Sequence, residues 1–325
     1  MPRATSRKTP TSSRPTTDLG LKNRKIFGTI CGISAAVAYG TNPLGALKLY
    51  AEGMNTPSVL FYRFALAWVL IALVMVFRSS PLAGDRRETI RVTPKDFAAL
   101  TGLGLLFIGS SLTLYLSFHL MEEGVASTIL FTYPVMTAAI MAIFFRERIN
   151  WVTVTSILLS FIGVALLYWG DGTATLPVGG VVLVLLSALT YALYIIVVDK
   201  SPLQMSSFKI NFYVLFYCAL GNVVYAFLSG QPLALPPTPT AWLWVSWLAV
   251  VPAIMALVMM VYAAKYLGST PTAILGALEP TTAVLIGVFV FAEPFSSRLL
   301  LGILLVLAAV TLVVLNKARH TSLNL

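Results

Sequence analysis

Two charged side chains stand where charge is costly. Glu279 lies in the apolar stretch from Thr270 to Glu293, which is long enough to cross a bilayer as one helix. At ~1.5 Å per residue it falls ~13 Å from the start of that stretch, near a bilayer midplane. An acid at that depth faces a cavity or a partner rather than lipid, and it can hold a proton or a substrate amine. The alternative is a structural acid bonded within the bundle. Arg63 is the one basic residue expected inside a span. Its planar fork suits a carboxylate, but it would serve equally to neutralise Glu279 or to cap a broken helix.

Prolines and tyrosines accompany these charges. Pro280 follows Glu279, and Pro134 follows Tyr133 in a similar run. A proline removes one rung of the helical hydrogen-bond ladder, so both read as hinges. Asn42-Pro43 either breaks the first span and bares backbone carbonyls or only kinks it. Tyr39, Tyr133 and Tyr191 fall inside spans, as do Tyr115, Tyr194, Tyr213 and Tyr217. Each offers an apolar face with a polar tip, suited to lining a polar cavity or to packing between helices. Glu147 and Glu293 fall at span ends, where capping a helix or orienting a loop is the expected duty.

The elements carrying these residues are membrane helices. Hydrophobic residues make up 58% of the 325 residues and charged residues 10%. That composition belongs to all-α polytopic membrane proteins. Ten spans are expected, near 26–47, 56–77, 96–118, 125–145, 150–169, 178–198, 208–228, 241–264, 271–292 and 298–316. Residues 1–25 read as a disordered basic tail and 317–325 as a second tail. The net charge of +10 does not call for nucleic acid, because the basic residues cluster at span ends. With the N-terminus in the cytoplasm, nineteen of the twenty-two Lys and Arg fall on that side. Lys48 and Arg298 fall outside. This bias places both termini in the cytoplasm and the chain in the cytoplasmic membrane.

The spans form two copies of one unit. Pro134 to Glu147 and Pro280 to Glu293 match at an offset of 146, as do Ile140/Ile286 and Phe145/Phe291. Gly28/Gly180, Ala36/Ala188, Tyr39/Tyr191 and Lys48/Lys200 match at 152. Glu279 therefore corresponds to Tyr133. The units cover residues 26–170 and 177–316. Five spans is an odd number, so the second unit sits inverted relative to the first, as in many secondary transporters.

In this order and spacing, Ala36–Asn42, Tyr62-Arg63-Phe64, Pro134 and Arg146-Glu147 resemble the EamA-like family of the drug/metabolite transporter superfamily. Ala264–Gly268, Leu278-Glu279-Pro280 and Phe291–Glu293 carry the same resemblance in the second half. Arg146 departs from the pattern, standing where a small residue often precedes the glutamate. The resemblance implies a carrier of small metabolites, many moved outward, working by alternating access, without naming the cargo. One acid, one base and several tyrosines would suit a small zwitterion such as an amino acid. Protons are a candidate coupling ion. The lipid bilayer and a small-molecule substrate are the expected partners.

Other functions fit less well: a membrane channel or sensor is the first alternative, and a membrane-embedded enzyme a weaker one. An embedded enzyme needs a nucleophile with a base, a metal cluster or paired acids at depth. The sequence has neither His-Glu-x-x-His nor Gly-x-Ser-x-Gly, and Glu279 has no evident acidic mate. No nucleotide-binding loop is present, and no cofactor is called for. Cys31 and Cys218 give neither a disulfide framework nor a metal spacing.

Overall fold

The computed structural model describes residues 16–79, 90–145, 151–169, 177–200, 205–267, 275–276, 278–293 and 295–322. Their regular structure is all helical, with no strand among them. The first half of the chain holds α1 (Thr16–Gly40), α2 (Asn42–Ala51), α3 (Thr56–Ser79), α4 (Pro94–Ser117), α5 (Glu123–Leu130), α6 (Tyr133–Phe144) and α7 (Trp151–Trp169). The second holds α8 (Val178–Lys200), α9 (Ser207–Leu228), α10 (Pro239–Leu248), α11 (Ala256–Leu267), α12 (Leu278–Phe291) and α13 (Ser297–Ser322). A π-helical segment with Pro252 inside it, Ala249–Met255, joins α10 to α11.

Six stretches are long and apolar enough to cross a membrane: Thr56–Phe77, Pro94–Ser117, Glu123–Phe144, Val178–Val198, Phe208–Leu228 and Pro239–Met260. Val154–Leu166, Leu278–Phe291 and Ser297–Leu312 are shorter apolar helices. The chain is therefore a multi-pass membrane protein; among the described residues, six of the ten expected spans appear at full length and three as shorter apolar helices. The tails also differ from expectation. Residues 16–25 belong to α1, because no proline follows Pro15 to stop a helix there. Likewise α13 runs on to Ser322.

Three expected spans are interrupted, each just ahead of a proline. α1 stops at Gly40, and Thr41 turns the chain before Asn42 and Pro43 open α2. The Thr41 hydroxyl donates to the Ala38 carbonyl at 2.7 Å, taking up an acceptor that the break frees. Phe131 and Thr132 separate α5 from α6, and Pro134 sits in the first turn of α6. The Thr132 hydroxyl plays the same part toward the Ile129 carbonyl at 2.8 Å. In the stretch around Glu279, expected to be one crossing helix, Leu275 is helical, Gly276 turns, and α12 opens at Leu278 with Pro280 in its first turn. Proline tolerates the first turn because its missing N–H would be unused there.

Helices of the first half pack chiefly on helices of the second. α3 lies on α9, α7 on α13, α4 on α8, and α11 on α1. α5 and α6 meet α8, while α12 meets α1 and α5. One end of the bundle is tied between halves by short polar contacts. Asn55 Nδ2 donates to the Pro232 carbonyl at 3.0 Å, and the Ala234 N–H donates to Ser58 Oγ at 2.9 Å. The Thr238 hydroxyl also donates to the Glu52 carboxylate there. At the other end Tyr213 donates to the Ile90 carbonyl at 2.6 Å and Lys209 Nζ to the Arg91 carbonyl at 2.7 Å.

Candidate functional site

The broken ends of α1, α5 and α12 converge, and they bring Glu279 to a cluster of tyrosines. Gly40 closes α1 directly against the start of α12. A Cβ built on Gly40 would stand 2.5 Å from Thr282 Cβ and 2.6 Å from the Glu279 carbonyl oxygen. Its neighbour Tyr39 thereby reaches the acid. The Glu279 carboxylate acts electrostatically on the Tyr39, Tyr133 and Tyr191 hydroxyls. All four residues are half-buried. Glu279 lies in the first turn of α12, where the helix dipole favours a negative charge. Its carboxylate has no hydrogen-bond partner among the described residues.

These four positions are two corresponding pairs, Tyr39 with Tyr191 and Tyr133 with Glu279. Tyr133 and Tyr191 meet edge to face, with ring centroids 4.7 Å apart and planes at 80°. Beyond them an aromatic row leads away from the acid. Tyr191 stacks on Tyr194 at 5.9 Å, Phe107 packs on Tyr194 at 5.2 Å, and Phe64 packs on Phe107 at 6.2 Å.

Arg63 stands at the far end of this row. It is buried, 7% exposed, with its guanidinium 5.2 Å from the Phe64 ring centroid and 5.5 Å from that of Tyr115. Its Nη1 donates to the Tyr115 hydroxyl at 2.6 Å, while Nε is buried without a partner among the described residues. Of the open alternatives for Arg63, a pair with Glu279 is not formed among the described residues. The two charges sit apart, both acting on the Tyr39 hydroxyl. Asn42 opens α2 with its Oδ1 buried and unpartnered. Pro43 and Pro280 are buried and Pro134 is half-buried, each just past its break.

Sequence reasoning missed three participants. Phe107 gave no signal, being one phenylalanine in an apolar span. Asn222, fully buried on α9, donates to the Cys218 carbonyl at 2.8 Å and leaves its Oδ1 unpartnered. Glu123 is a second buried acid, 7% exposed, which the expected span boundary at residue 125 left in a loop. It meets Glu293 rather than Glu279, its backbone N–H donating to Glu293 Oε1 at 3.1 Å. Glu293 thus caps a helix, as expected, although the helix belongs to the other half of the chain. Glu147 lies outside the described residues. Among those that are described, no group of His, Cys, Asp and Glu has the makings of a metal centre.

The sequence pattern of the EamA-like transporter family matches residues 26–169 and again residues 178–315. The chain belongs to that family. An uncharacterized transporter of Archaeoglobus fulgidus is 27% identical over 58% of this chain and 66% of its own length. The uncharacterized transporter YxxF of Bacillus subtilis is 25% identical over 46% of this chain and 47% of its own. A third, YdfC of Bacillus subtilis, is 28% identical over 31% and 34%. The chain thus spans between about a third and two-thirds of the length of these relatives. A solved crystal structure shares the fold, with a TM-score of 0.63 at 17% identity, covering 90% of this chain and 98% of the other.

Proposed function

We propose that the protein is a secondary carrier that moves a small polar metabolite outward across the cytoplasmic membrane by alternating access. Its moving parts are two inverted five-helix units, and both termini lie in the cytoplasm. The convergence of Glu279 with Tyr39, Tyr133 and Tyr191 at three helix breaks carries this reading. Irregular backbone at membrane depth is tolerated where it lines a cavity, and half-buried polar side chains gather there. The packing pattern supports the inverted units. α4 on α8 has its counterpart in α11 on α1, and α5–α6 on α8 has its counterpart in α12 on α1. Such a pairing gives one set of elements two equivalent arrangements, open to opposite sides.

Glu279 is the group that exchanges partners during the cycle. Unpaired and set among hydroxyls, it takes a proton or a cationic group of the cargo. An acid at one end of the aromatic row and Arg63 at the other suit a small zwitterion, such as an amino acid. The test is counterflow in vesicles preloaded with a panel of amino acids and related metabolites. A carrier saturates and shows trans-stimulation, whereas a channel does neither. Glu279→Gln keeps size and hydrogen bonding but cannot ionise. It is expected to insert normally and to lose gradient-driven flux while retaining exchange. Wild-type flux from Glu279→Gln removes this residue from the mechanism.

A further inference from the structure

Glu293 reaches out of its own half of the molecule and grips the other. The chain leaves α12 through Ala292, which adopts φ 54°, a left-handed conformation costly for a residue with a Cβ. That turn folds Glu293 back, so that its N–H donates to the Gly287 carbonyl at 3.0 Å. Its carboxylate then lies across Gly287 and beside Gly124. A Cβ at Gly124 would stand 3.0 Å from Val284 Cα and 3.2 Å from Glu293 Oε2, and a Cβ at Gly287 would overlap the carboxylate. Two glycines on facing helices therefore make a notch that this side chain fills. Within it Glu293 Oε1 accepts from the first N–H of α5 at 3.1 Å, and the residue that donates is itself the buried acid Glu123. Glu293 is thus held by an α5 N-terminal N–H directly beside a second acid.

Two carboxyl groups so placed cannot both be ionised without strong repulsion, and one donates to the other when a single proton is retained. The surrounding charges fit one negative charge on the pair. On α2, Lys48 Nζ lies 5.7 Å from the centroid of the Phe291 ring, close to where Glu293 leaves α12, and Glu52 follows at the end of that helix. Glu122 precedes Glu123, and burial together with the Glu293 charge pushes its carboxyl above the usual range. Of the other elements packed on α5, α8 has its charges, Asp199 and Lys200, at its far end. α4 likewise carries Lys95 and Asp96 at its far end, with His119 just beyond its near end. Arg298 opens α13, whose remaining charges lie at the other end. Among the described residues at this end, Glu52, Glu122, Glu123 and Glu293 thus outnumber Lys48 and Arg298, which favours keeping a proton on the buried pair.

We propose that Glu123 and Glu293 form a clasp between the two halves, closed over one shared proton, and that opening this end of the carrier breaks the clasp and releases that proton. The proposal rests on the alternating-access reading, because it supplies the latch for one of the two arrangements. No bond other than O–H is made or broken. The proton passes from the Glu123–Glu293 pair to water on the side that opens, and it returns on closure.

The experiment reads the seam itself and requires no substrate. Nitroxide labels are placed at Leu120→Cys and Phe295→Cys, exposed positions flanking the clasp in the two halves. Both native cysteines are buried, out of reach of the reagent. Electron–electron distances are recorded in full-length protein in nanodiscs from about pH 5 to about pH 9, a range spanning an ordinary and a strongly displaced carboxyl titration. In the wild type the distribution is expected to lengthen as pH rises. In Glu123→Gln and in Glu293→Gln an amide N–H replaces the shared proton, so the short distribution is expected at every pH. If one variant fails to fold, the other gives the same reading. A wild-type distribution indifferent to pH, or a pH response that survives either substitution, overturns the clasp. Failure of counterflow with an intact pH response would instead strike at the carrier reading.

Discussion

At the residue scale, the decisive fact about Arg63 is its partner. A guanidinium in a site 7% exposed needs acceptors, and the Tyr115 hydroxyl at 2.6 Å is the one the described structure supplies. Hydrogen bonds to a charged group contribute about 1.5–3 kcal/mol, and orphaning a buried partner costs a similar amount. Tyr115→Phe is therefore expected to destabilise the protein by about 1–3 kcal/mol, with Arg63→Gln costing at least as much. Thermal unfolding in detergent checks both. Because the two groups touch, the double variant should cost less than the sum of the singles. Arg63→Gln combined with Glu279→Gln should be additive, since those groups make no contact. A large coupling in the second cycle would show that the two charges meet in some arrangement of the carrier.

At the element scale, the helix breaks do the positioning, and glycine sets how closely they approach. Gly40 packs against backbone and a β-branched side chain, neither of which yields easily. Gly40→Ala is expected to cost about 1–3 kcal/mol by overpacking and to depress transport beyond the loss of folded protein, since it pushes Tyr39 away from Glu279. Gly102→Ala on α4 is the control. A Cβ there meets nothing within 4 Å, so relief of backbone entropy should leave it neutral or more stable by about 0.5–1 kcal/mol. Melting curves and counterflow on the two variants separate these outcomes.

The sequence disclosed much of this scale. Pro43, Pro134 and Pro280 marked where the helices would be interrupted, and the offset of 146 paired Tyr133 with Glu279 before any geometry was available. It did not disclose the turn at Gly276 that precedes α12, because local composition continues apolar across it. Nor could it choose a partner for Arg63. Tyr115 is 52 residues away, and only the packing of α3 against α4 decides which of seven tyrosines an arginine meets. Glu123 escaped for a different reason. An acid at an expected loop is ordinary, and its burial comes from α12 of the other half lying over it.

At the scale of the whole molecule, the arrangement depends on which way the bundle sits in the membrane. The end holding Glu52, Asn55, Glu123 and Glu293 is tied by the loop around Pro232–Ala234, whereas Ile90 and Arg91 meet Tyr213 and Lys209 at the opposite end. On the proposed topology the Arg91 end faces the cytoplasm, since basic residues resist translocation. Gln231 and Arg91 are both exposed, and they lie at opposite ends of the same bundle. Single cysteines at these two positions, with Cys31 and Cys218 replaced by alanine, should therefore label oppositely in intact cells. An impermeant maleimide is expected to modify Gln231→Cys from outside, and to reach Arg91→Cys only after the membrane is permeabilised. Reversed labelling would invert the carrier and put the Glu123–Glu293 clasp on the cytoplasmic face. Its proton would then be released inside, and the direction of any proton-linked cycle would change sign. Equal labelling of both positions from outside would mean that the intervening helices do not separate them, and the multi-span arrangement on which the central site depends would fall with it.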